Sequence, residues 1–455
     1  MNRTALTDLT HWLHSPQRKP CVIRGARQVG KTWLVKEALA PKAERQLVEI
    51  NFERHPEQID LFRSNEPQQI LLHIEAALNL KEKINPQKHL LFLDEIQVAP
   101  ALLAKLRWFA EDLPELPVIA AGSLLEFVLA EHDFSMPVGR INYFHLEPFS
   151  FEDFLLASRS TALYEYIKSW KFGTDIPKTI HQQLMKLFAE YTLIGGMPAV
   201  LSTWINTQSL EEVHRAHHDI LTTYRDDFNK YAGHLSVTRL DEVLMAVPNL
   251  LGKKFVYSHV NPDVHIPALK QALSLLFRAR VCHPVKACYA NGIPLGAEIN
   301  NKFFKAILLD SGLACTVLGL SLHQFQTVAD ICLINNGGIA EQIVGQLLRT
   351  IEPYYVEPKL YYWLRAGKNS EAEIDYLIQH NTQIIPIEVK AGSTGSLKSL
   401  HLVMALKKWN RAIRINSDLP SLTTINTKIH TGNTVSYHLI SIPFYLTGQI
   451  HRLLD

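Results

Sequence analysis

The chain has 455 residues, of which 47% are hydrophobic and 20% charged, a balance typical of soluble globular proteins rather than disordered or fibrous ones. One hydrophobic core rarely serves a chain of this length, so we expect about three folded units. The formal net charge of +2 does not indicate a nucleic-acid-binding protein, and any surface for DNA must be a local basic patch.

Two further observations concern the location of the protein. The N-terminus lacks the apolar stretch of a signal peptide, and no apolar run approaches the length of about 18 residues expected of a membrane span. The five cysteines include no C-x-x-C pair, which favours reduced thiols. We therefore expect a cytoplasmic protein that does not contact a membrane.

A glycine-rich loop follows the first strand candidate. The apolar run CVIR at 21–24 precedes GARQVGKT at 25–32, and the helix-like WLVKEALA comes next. Strand, loop and helix in this order predict a phosphate-binding loop, whose backbone N–H groups and helix N-terminus face phosphate oxygens. Lys31 is expected to contact the β and γ phosphates, and Thr32 to bind Mg²⁺. The predicted ATP-binding residues of the loop are Gly25, Ala26, Arg27, Gln28, Val29, Gly30, Lys31 and Thr32.

A second apolar run supplies carboxylates for the same site. HLLFLDEIQ places Asp94 and Glu95 directly after a fully apolar strand candidate at 90–93. Asp94 is expected to bind Mg²⁺, and Glu95 to act as the base that polarises the attacking water. RQLVEINF and LPVIAAGS are further strand candidates, and the latter ends in Ser123. Alternating strands and helices predict an α/β fold with a parallel sheet covered on both faces.

These motifs resemble those of AAA-type P-loop ATPases, over roughly residues 1–230. The resemblance implies that Ser123 senses the γ-phosphate and that Arg140 is an arginine finger for the nucleotide of a neighbouring subunit, which implies a homo-oligomer. It also implies that Gly196 and Pro198, in LIGGMPAV, contact the adenine. Two alternatives stay open: Arg140 pairs with a local carboxylate, or the glycine and proline only end one helix and begin another.

The middle of the chain reads as helical. Apolar positions at helical spacing predict a helical lid over 151–235. Two further helix candidates and the strand-like FFKAILLD, within 236–335, resemble a winged helix. Such domains often bind DNA, and phosphate contacts are then expected from Lys253, Lys254, Arg278 and Arg280. The alternative is that these four residues form a solvated basic face.

The last part of the chain follows a linker candidate, NNGG at 335–338. A helix candidate containing Glu341, three strand candidates, another helix and another strand follow, and this order resembles the PD-(D/E)XK nuclease core. Asp375 and the E-x-K pair Glu388 and Lys390 occupy the positions of its motif. Residues two apart on a strand face the same side, so the last two side chains project together.

The resemblance implies a metal-dependent nuclease site. Glu341, Asp375 and Glu388 are the expected Mg²⁺ ligands, and Lys390 is expected to orient the water that attacks a phosphodiester. The alternative is that Glu388 and Lys390 form a salt bridge on a scaffold that binds DNA or a protein without catalysis.

Taken together, the sequence predicts four domains. They are a P-loop ATPase core at 1–150, a helical lid at 151–235, a winged-helix-like region at 236–335 and a restriction-endonuclease-like α/β domain at 336–455. This order resembles a prokaryotic family of AAA-type ATPases whose C-terminal domain looks nuclease-like. We expect an ATP- and Mg²⁺-dependent ATPase acting on DNA, whose last domain binds or cleaves it. The alternative is a regulatory ATPase switch whose last domain is a non-catalytic platform.

Overall fold

The structure is a computed structural model that describes most of the chain. The described residues are 3–123, 125, 127, 137–231, 236–320, 337–365, 372–391, 397–429, 432 and 434–455. The first half of the predicted linker, residues 335–336, lies outside them. The chain divides into two compact units. The first unit comprises Met1–Glu147, Arg278–Arg280 and Pro353–Glu357, and the second comprises Pro148–Phe277, Val281–Glu352 and Pro358–Asp455.

The first unit contains a five-stranded sheet in which every pairing is parallel. Its strands are β1 (Cys21–Arg24), β2 (Gln46–Asn51), β3 (His89–Asp94), β4 (Val118–Ala121) and β5 (Asn142–His145). They lie in the order β2-β3-β4-β1-β5. All residues of β3 and β4 are buried, which explains the apolar run at 90–93 within β3 and the wholly apolar sequence of β4. The predicted parallel sheet is confirmed.

Helices alternate with these strands. They are α1 (Ala5–His14), α2 (the consecutive segments Lys31–Trp33, Leu34–Leu39 and Ala40–Lys42, of which the second is π-helical), α3 (Pro67–Ala77) and α4 (Leu102–Asp112). Short 3₁₀ helices span Pro56–Phe62 and Ile96–Val98. Ile70 of α3 and Leu106 and Phe109 of α4 pack against Ile50 and Leu91 of the sheet in one hydrophobic core. The sheet therefore holds the loops at its carboxyl edge on a rigid base.

The second unit begins with helices. These are α5 (Phe151–Ala157), α6 (Thr161–Ser169), α7 (Lys178–Ile194), α8 (Pro198–Thr207) and α9 (Leu210–Tyr231). Ser150 caps α5: its hydroxyl accepts from the backbone N–H of Asp153, whose carboxylate accepts from the backbone N–H of Ser150. The helical character predicted for 151–230 is present.

The rest of the second unit contains six helices and an eight-stranded mixed sheet among the described residues. The helices are α10 (Val237–Ala246), α11 (Ile266–Arg278), α12 (Ser311–Val317), α13 (Gly338–Leu348), α14 (Lys398–Lys407) and α15 (Ile450–Leu454). Short 3₁₀ helices span Pro248–Leu250, Tyr257–His259, Leu295–Glu298 and Phe444–Gln449. The strands are β6 (Cys282–Cys288), β7 (Ile299–Leu308), β8 (Leu360–Arg365), β9 (Ala372–His380), β10 (Gln383–Val389), β11 (Arg411–Asn416), β12 (Ser421–Lys428) and β13 (Thr434–Pro443).

The sheet order is β12-β13-β11-β10-β9-β8-β6-β7. Because β6 pairs in parallel with β8, the hairpin β6–β7 from the winged-helix-like region and the strands of the C-terminal region form one continuous sheet. The C-terminal part has the order helix, three strands, helix, strand in α13, β8 to β10, α14 and β11. In the part of the chain that the structure describes, no helix is both long and apolar enough to cross a membrane.

Replacing Ser150 with alanine should destabilise the second unit by about 1 kcal/mol, because the first turn of α5 loses a cap to a buried backbone N–H. Ser160, which precedes α6 without a side-chain capping bond, provides the matched control, and Ser160→Ala should change stability little. Urea unfolding followed by circular dichroism measures both changes. Equal losses in the two variants would show that the capping box does not stabilise the unit.

Candidate functional site

The glycine-rich loop joins the end of β1 to the start of α2, at the carboxyl edge of the first sheet. Gly30, the N-cap of α2, has φ 89°, in the left-handed region that favours glycine. A Cβ atom at Gly25 would clash with the carbonyl oxygen of Leu146, so this position also requires glycine. The loop therefore has the tight backbone that a phosphate cradle needs.

Lys31 is the cation of this loop. Its side chain is buried, and Nζ donates to the carbonyl oxygens of Gly25 at 3.0 Å and Ala26 at 2.8 Å. Burial lowers the pKa of Lys31 to about 8, although the carboxylates of Glu95 and Asp94 oppose this effect. The hydrogen-bonding groups of Lys31 are neutral carbonyls, so its positive charge is available to an anionic ligand.

Three elements bring oxygen ligands together beside the loop. The Thr32 hydroxyl, at the start of α2, donates to Asp94 at the end of β3, with oxygen–oxygen distances of 3.3 and 3.1 Å. Asn51, at the end of β2, donates to the same carboxylate at 3.3 Å. Burial, with the neighbouring charge of Glu95, raises the pKa of Asp94 to about 6. A hydroxyl and a carboxylate so close together fit a Mg²⁺ ion that accompanies a nucleotide.

Glu95 directly follows this carboxylate and has a left-handed backbone, with φ 52°. Its Oε2 accepts from Gln97 Nε2 at 2.6 Å, so Gln97 fixes the orientation of the candidate base. The sequence analysis missed Gln97, although it ends the same motif, because a single glutamine carries no signal of its own in the sequence. Ser123, the other predicted residue here, is buried two residues after β4, which lies between β3 and β1.

Arg140 lies just before β5 and is exposed. Its Nε is 2.6 Å from Oε1 of Glu111 on α4, and this hydrogen bond lowers the pKa of the Glu111 carboxyl. Within one chain the arginine therefore pairs with a local carboxylate, the alternative that the sequence left open. Its action on a neighbouring subunit stays a prediction.

Arg280 differs from its predicted role. It is buried in the first unit, where its guanidinium is 3.7 Å from Glu147 and 3.5 Å from Glu357. This ion-paired arginine is no part of an exposed DNA-binding face, so the prediction for Arg280 is wrong. Its charge instead helps to lower the pKa of Lys31.

Gly196 and Pro198 have structural roles in the second unit. The backbone N–H of Gly196 donates to the Asp310 carboxylate at 2.6 Å, and its carbonyl oxygen accepts from the Phe149 N–H at 2.8 Å. A Cβ atom at Gly196 would clash with the Phe149 backbone. Pro198 is the first residue of α8, where its missing N–H is harmless. Contact of either residue with adenine stays a prediction.

A second charged cluster, the carboxylate cluster, forms in the second unit. Its members are Glu341 of α13, Glu373 and Asp375 of β9, Glu388 of β10, Lys305 of β7 and Lys390. Lys390 Nζ is 2.7 Å from Glu388 Oε1, and the Val389 N–H donates to Asp375 Oδ2 at 2.8 Å. Lys305 Nζ is 2.8 Å from Glu341 Oε2. The four residues predicted for a nuclease site are thus assembled, together with Lys305 and Glu373, which the sequence analysis missed.

Burial is the largest influence on the pKa values of Glu341 and Glu388 in this cluster. It raises the pKa of Glu341 to about 7 and that of Glu388 to about 8, and Asp375 raises both further. Glu388 Oε2 is buried without a hydrogen-bond partner among the described residues. Within the same described residues, no group of three or more His, Cys, Asp or Glu side chains is arranged to hold a metal ion.

Comparison with known families agrees with the geometry of the first unit. Residues 17–155 match the family described as AAA domain, a region that contains the glycine-rich loop, Asp94 and Glu95. This part of the chain is therefore similar to an AAA domain. Two further families match residues 185–324 and 336–437, and both are described as domains of unknown function, DUF8612 and DUF4143.

Several solved structures are similar to parts of the chain. A Walker-type ATPase of Pyrococcus abyssi is 14% identical over 69% of this chain and 94% of its own, with a TM-score of 0.42. The RuvB Holliday junction branch migration motor of Thermotoga maritima is 14% identical over 70% and 94%, with a TM-score of 0.29. The ORC2 protein of Aeropyrum pernix is 13% identical over 69% and 90%, with a TM-score of 0.31. At these TM-scores the similarities carry no argument here. No curated protein matches the chain.

ATP binding above pH 8 should be accompanied by proton uptake. With its pKa near 8, Lys31 is mostly neutral at pH 9, and a bound polyphosphate favours its charged form. Calorimetry in buffers of different ionisation enthalpy should give an uptake approaching about one proton per ATP at pH 9, and little at pH 7. Lys31→Arg, which stays charged at both pH values, should bind without this uptake. Identical uptake in both proteins would exclude Lys31 as its source.

Proposed function

We propose that this chain binds ATP and hydrolyses it with the help of Mg²⁺. The observation that carries the proposal is the convergence of a buried lysine, which donates to two carbonyl oxygens, with the Thr32–Asp94 pair at one edge of a parallel sheet. A cation bound by neutral groups, next to oxygen ligands for a divalent metal, is the arrangement that a metal-bound triphosphate completes.

Each residue has a distinct part in this reaction. The loop N–H groups and Lys31 would bind the phosphate oxygens of ATP, and Thr32 and Asp94 would hold Mg²⁺, which would supply positive charge to offset the charge that develops on the phosphates. Glu95, oriented by Gln97, accepts a proton from the attacking water. We also propose that Ser123 contacts the γ-phosphate, that Gly196 and Pro198 contact the adenine, and that Arg140 completes the site of a neighbouring subunit.

Replacing Glu95 with glutamine should lower kcat by about 10²- to 10⁴-fold and leave ATP affinity nearly unchanged, because the amide cannot accept the proton of the water. Phosphate release measures kcat, and calorimetry measures affinity. Glu57→Gln is the matched control, since Glu57 is an exposed carboxylate beside His55 in the same unit, and it should retain full activity. Unchanged hydrolysis by Glu95→Gln would exclude Glu95 as the base.

A second proposal is that the second unit binds DNA. The observation that favours it is a cluster of aromatic rings with a lysine above it: Lys270 Nζ of α11 is 5.8 Å from the Tyr257 ring centroid. The Tyr257 ring lies 5.3 Å from Phe255 and 6.3 Å from Phe304. Lys270 is exposed and Tyr257 is half-buried, so both are accessible. A lysine binds phosphates and an aromatic face stacks on bases, which together suit single strands or unpaired ends.

Lys270→Glu should weaken DNA binding and reduce the slope of log affinity against log salt by about one. The control is Lys428→Glu, which makes the same charge change. Lys428 lies on β12, the edge strand opposite β7, which carries Phe304 of the aromatic cluster, and its replacement should leave DNA binding unchanged. Fluorescence anisotropy with single-stranded, duplex and branched DNA measures both. If no DNA binds and none stimulates ATP hydrolysis, the chain fits a regulatory ATPase switch that acts on a protein partner.

A further inference from the structure

Lys305 occupies the centre of the carboxylate cluster. It projects from β7, and its side chain is 3% exposed. Its Nζ is 2.8 Å from Glu341 Oε2 and 3.8 Å from Asp375 Oδ1, and it also forms an ion pair with Glu373. The same nitrogen lies 5.3 Å from the centre of the Tyr362 ring. A buried ammonium group is thus surrounded by three carboxylates and the face of an aromatic ring.

The acidic neighbours of Lys305 compensate its charge. Glu341 and Glu373 form ion pairs with its Nζ, and Asp375 Oδ1 lies 3.8 Å away, so three acidic side chains replace the hydration that burial removes. Lys305 therefore provides the charge compensation that carboxylates in such a cluster otherwise take from a bound metal.

Each predicted Mg²⁺ ligand already has a partner within the cluster, although Glu388 Oε2 has none among the described residues. Glu341 and Asp375 face Lys305, Asp375 also accepts from the Val389 N–H, and Glu388 accepts from Lys390. A divalent cation placed among them would lie close to the Lys305 ammonium and would have to displace it from a buried site. As they stand, these residues do not fit the magnesium centre that the resemblance to a nuclease core implies.

We propose that Lys305 is the resident cation of the carboxylate cluster and takes the place of a divalent metal, so that the second unit acts as a metal-independent module that does not cleave DNA. The proposal goes beyond ATP hydrolysis, because it concerns residues of the second unit alone. It also distinguishes binding of DNA by this unit from cutting of DNA, since only cutting needs the metal.

The test measures Mn²⁺ binding to the full chain in the absence of nucleotide. The electron paramagnetic resonance signal of free Mn²⁺ gives the number of ions bound. Wild type and Asp375→Asn should bind Mn²⁺ identically, since any ion at Thr32 and Asp94 is common to both. Lys305→Met should bind one additional Mn²⁺ ion per chain, and adding Asp375→Asn to that variant should remove it. Lys305→Arg keeps the charge and should bind as wild type does.

Two results would overturn the proposal: a wild-type Mn²⁺ site that Asp375→Asn removes, or a folded Lys305→Met protein that gains no ion. Removing Lys305 leaves three partly buried carboxylates without their cation, so Lys305→Met combined with Glu373→Gln offers a second variant with less uncompensated charge. Circular dichroism reports folding of each variant. If neither variant folds, the comparison of wild type with Asp375→Asn decides, because the proposal requires their Mn²⁺ binding to be equal.

Discussion

A buried ammonium group needs compensation for its lost hydration, and the two units of this chain supply it in different ways. Lys31 is held by the neutral carbonyl oxygens of Gly25 and Ala26, so its charge remains available and favours a polyanionic ligand. Lys305 is held by Glu341, Glu373 and Asp375, so these carboxylates neutralise its charge within the protein. The first arrangement suits the phosphate binding that we propose. The second suits the structural role proposed for Lys305, at the position where the resemblance to a nuclease core implies a metal.

The proximity of the candidate nucleotide-binding residues could be predicted from the sequence because these residues belong to short contiguous motifs. GARQVGKT follows one strand directly, and Asp94 and Glu95 follow another. The carboxyl ends of parallel strands lie at the same edge of a sheet, so these motifs are expected to lie close together. In the register between β3 and β4, Leu93 lies opposite Ala120, so Ser123 also follows its strand at this edge of the sheet. The same locality explains why the helical character of residues 151–230 was predictable from apolar spacing.

Residues whose roles depend on distant partners could not be predicted. Lys305 lies in FFKAILLD, an apolar run that gives no sign that three carboxylates from α13 and β9 surround its lysine. Arg280 looked like an exposed base at a helix end, but Glu147 and Glu357 bury it in the first unit. The pairing of β6 with β8, which joins two predicted domains into one sheet, likewise depends on strands far apart in the chain. Propensity and periodicity report local structure, whereas these contacts are set by tertiary packing.

We therefore propose an ATPase site in the first unit and a metal-independent module in the second. The central claim is that a triphosphate binds at Lys31, and thermal unfolding with increasing ATP and Mg²⁺ tests this claim most directly, since a ligand that binds the folded protein raises its melting temperature. The account predicts a rise in Tm that grows with ATP concentration in wild type and is lost in Lys31→Met. No shift in wild type at saturating ATP, or an equal shift in Lys31→Met, would contradict it.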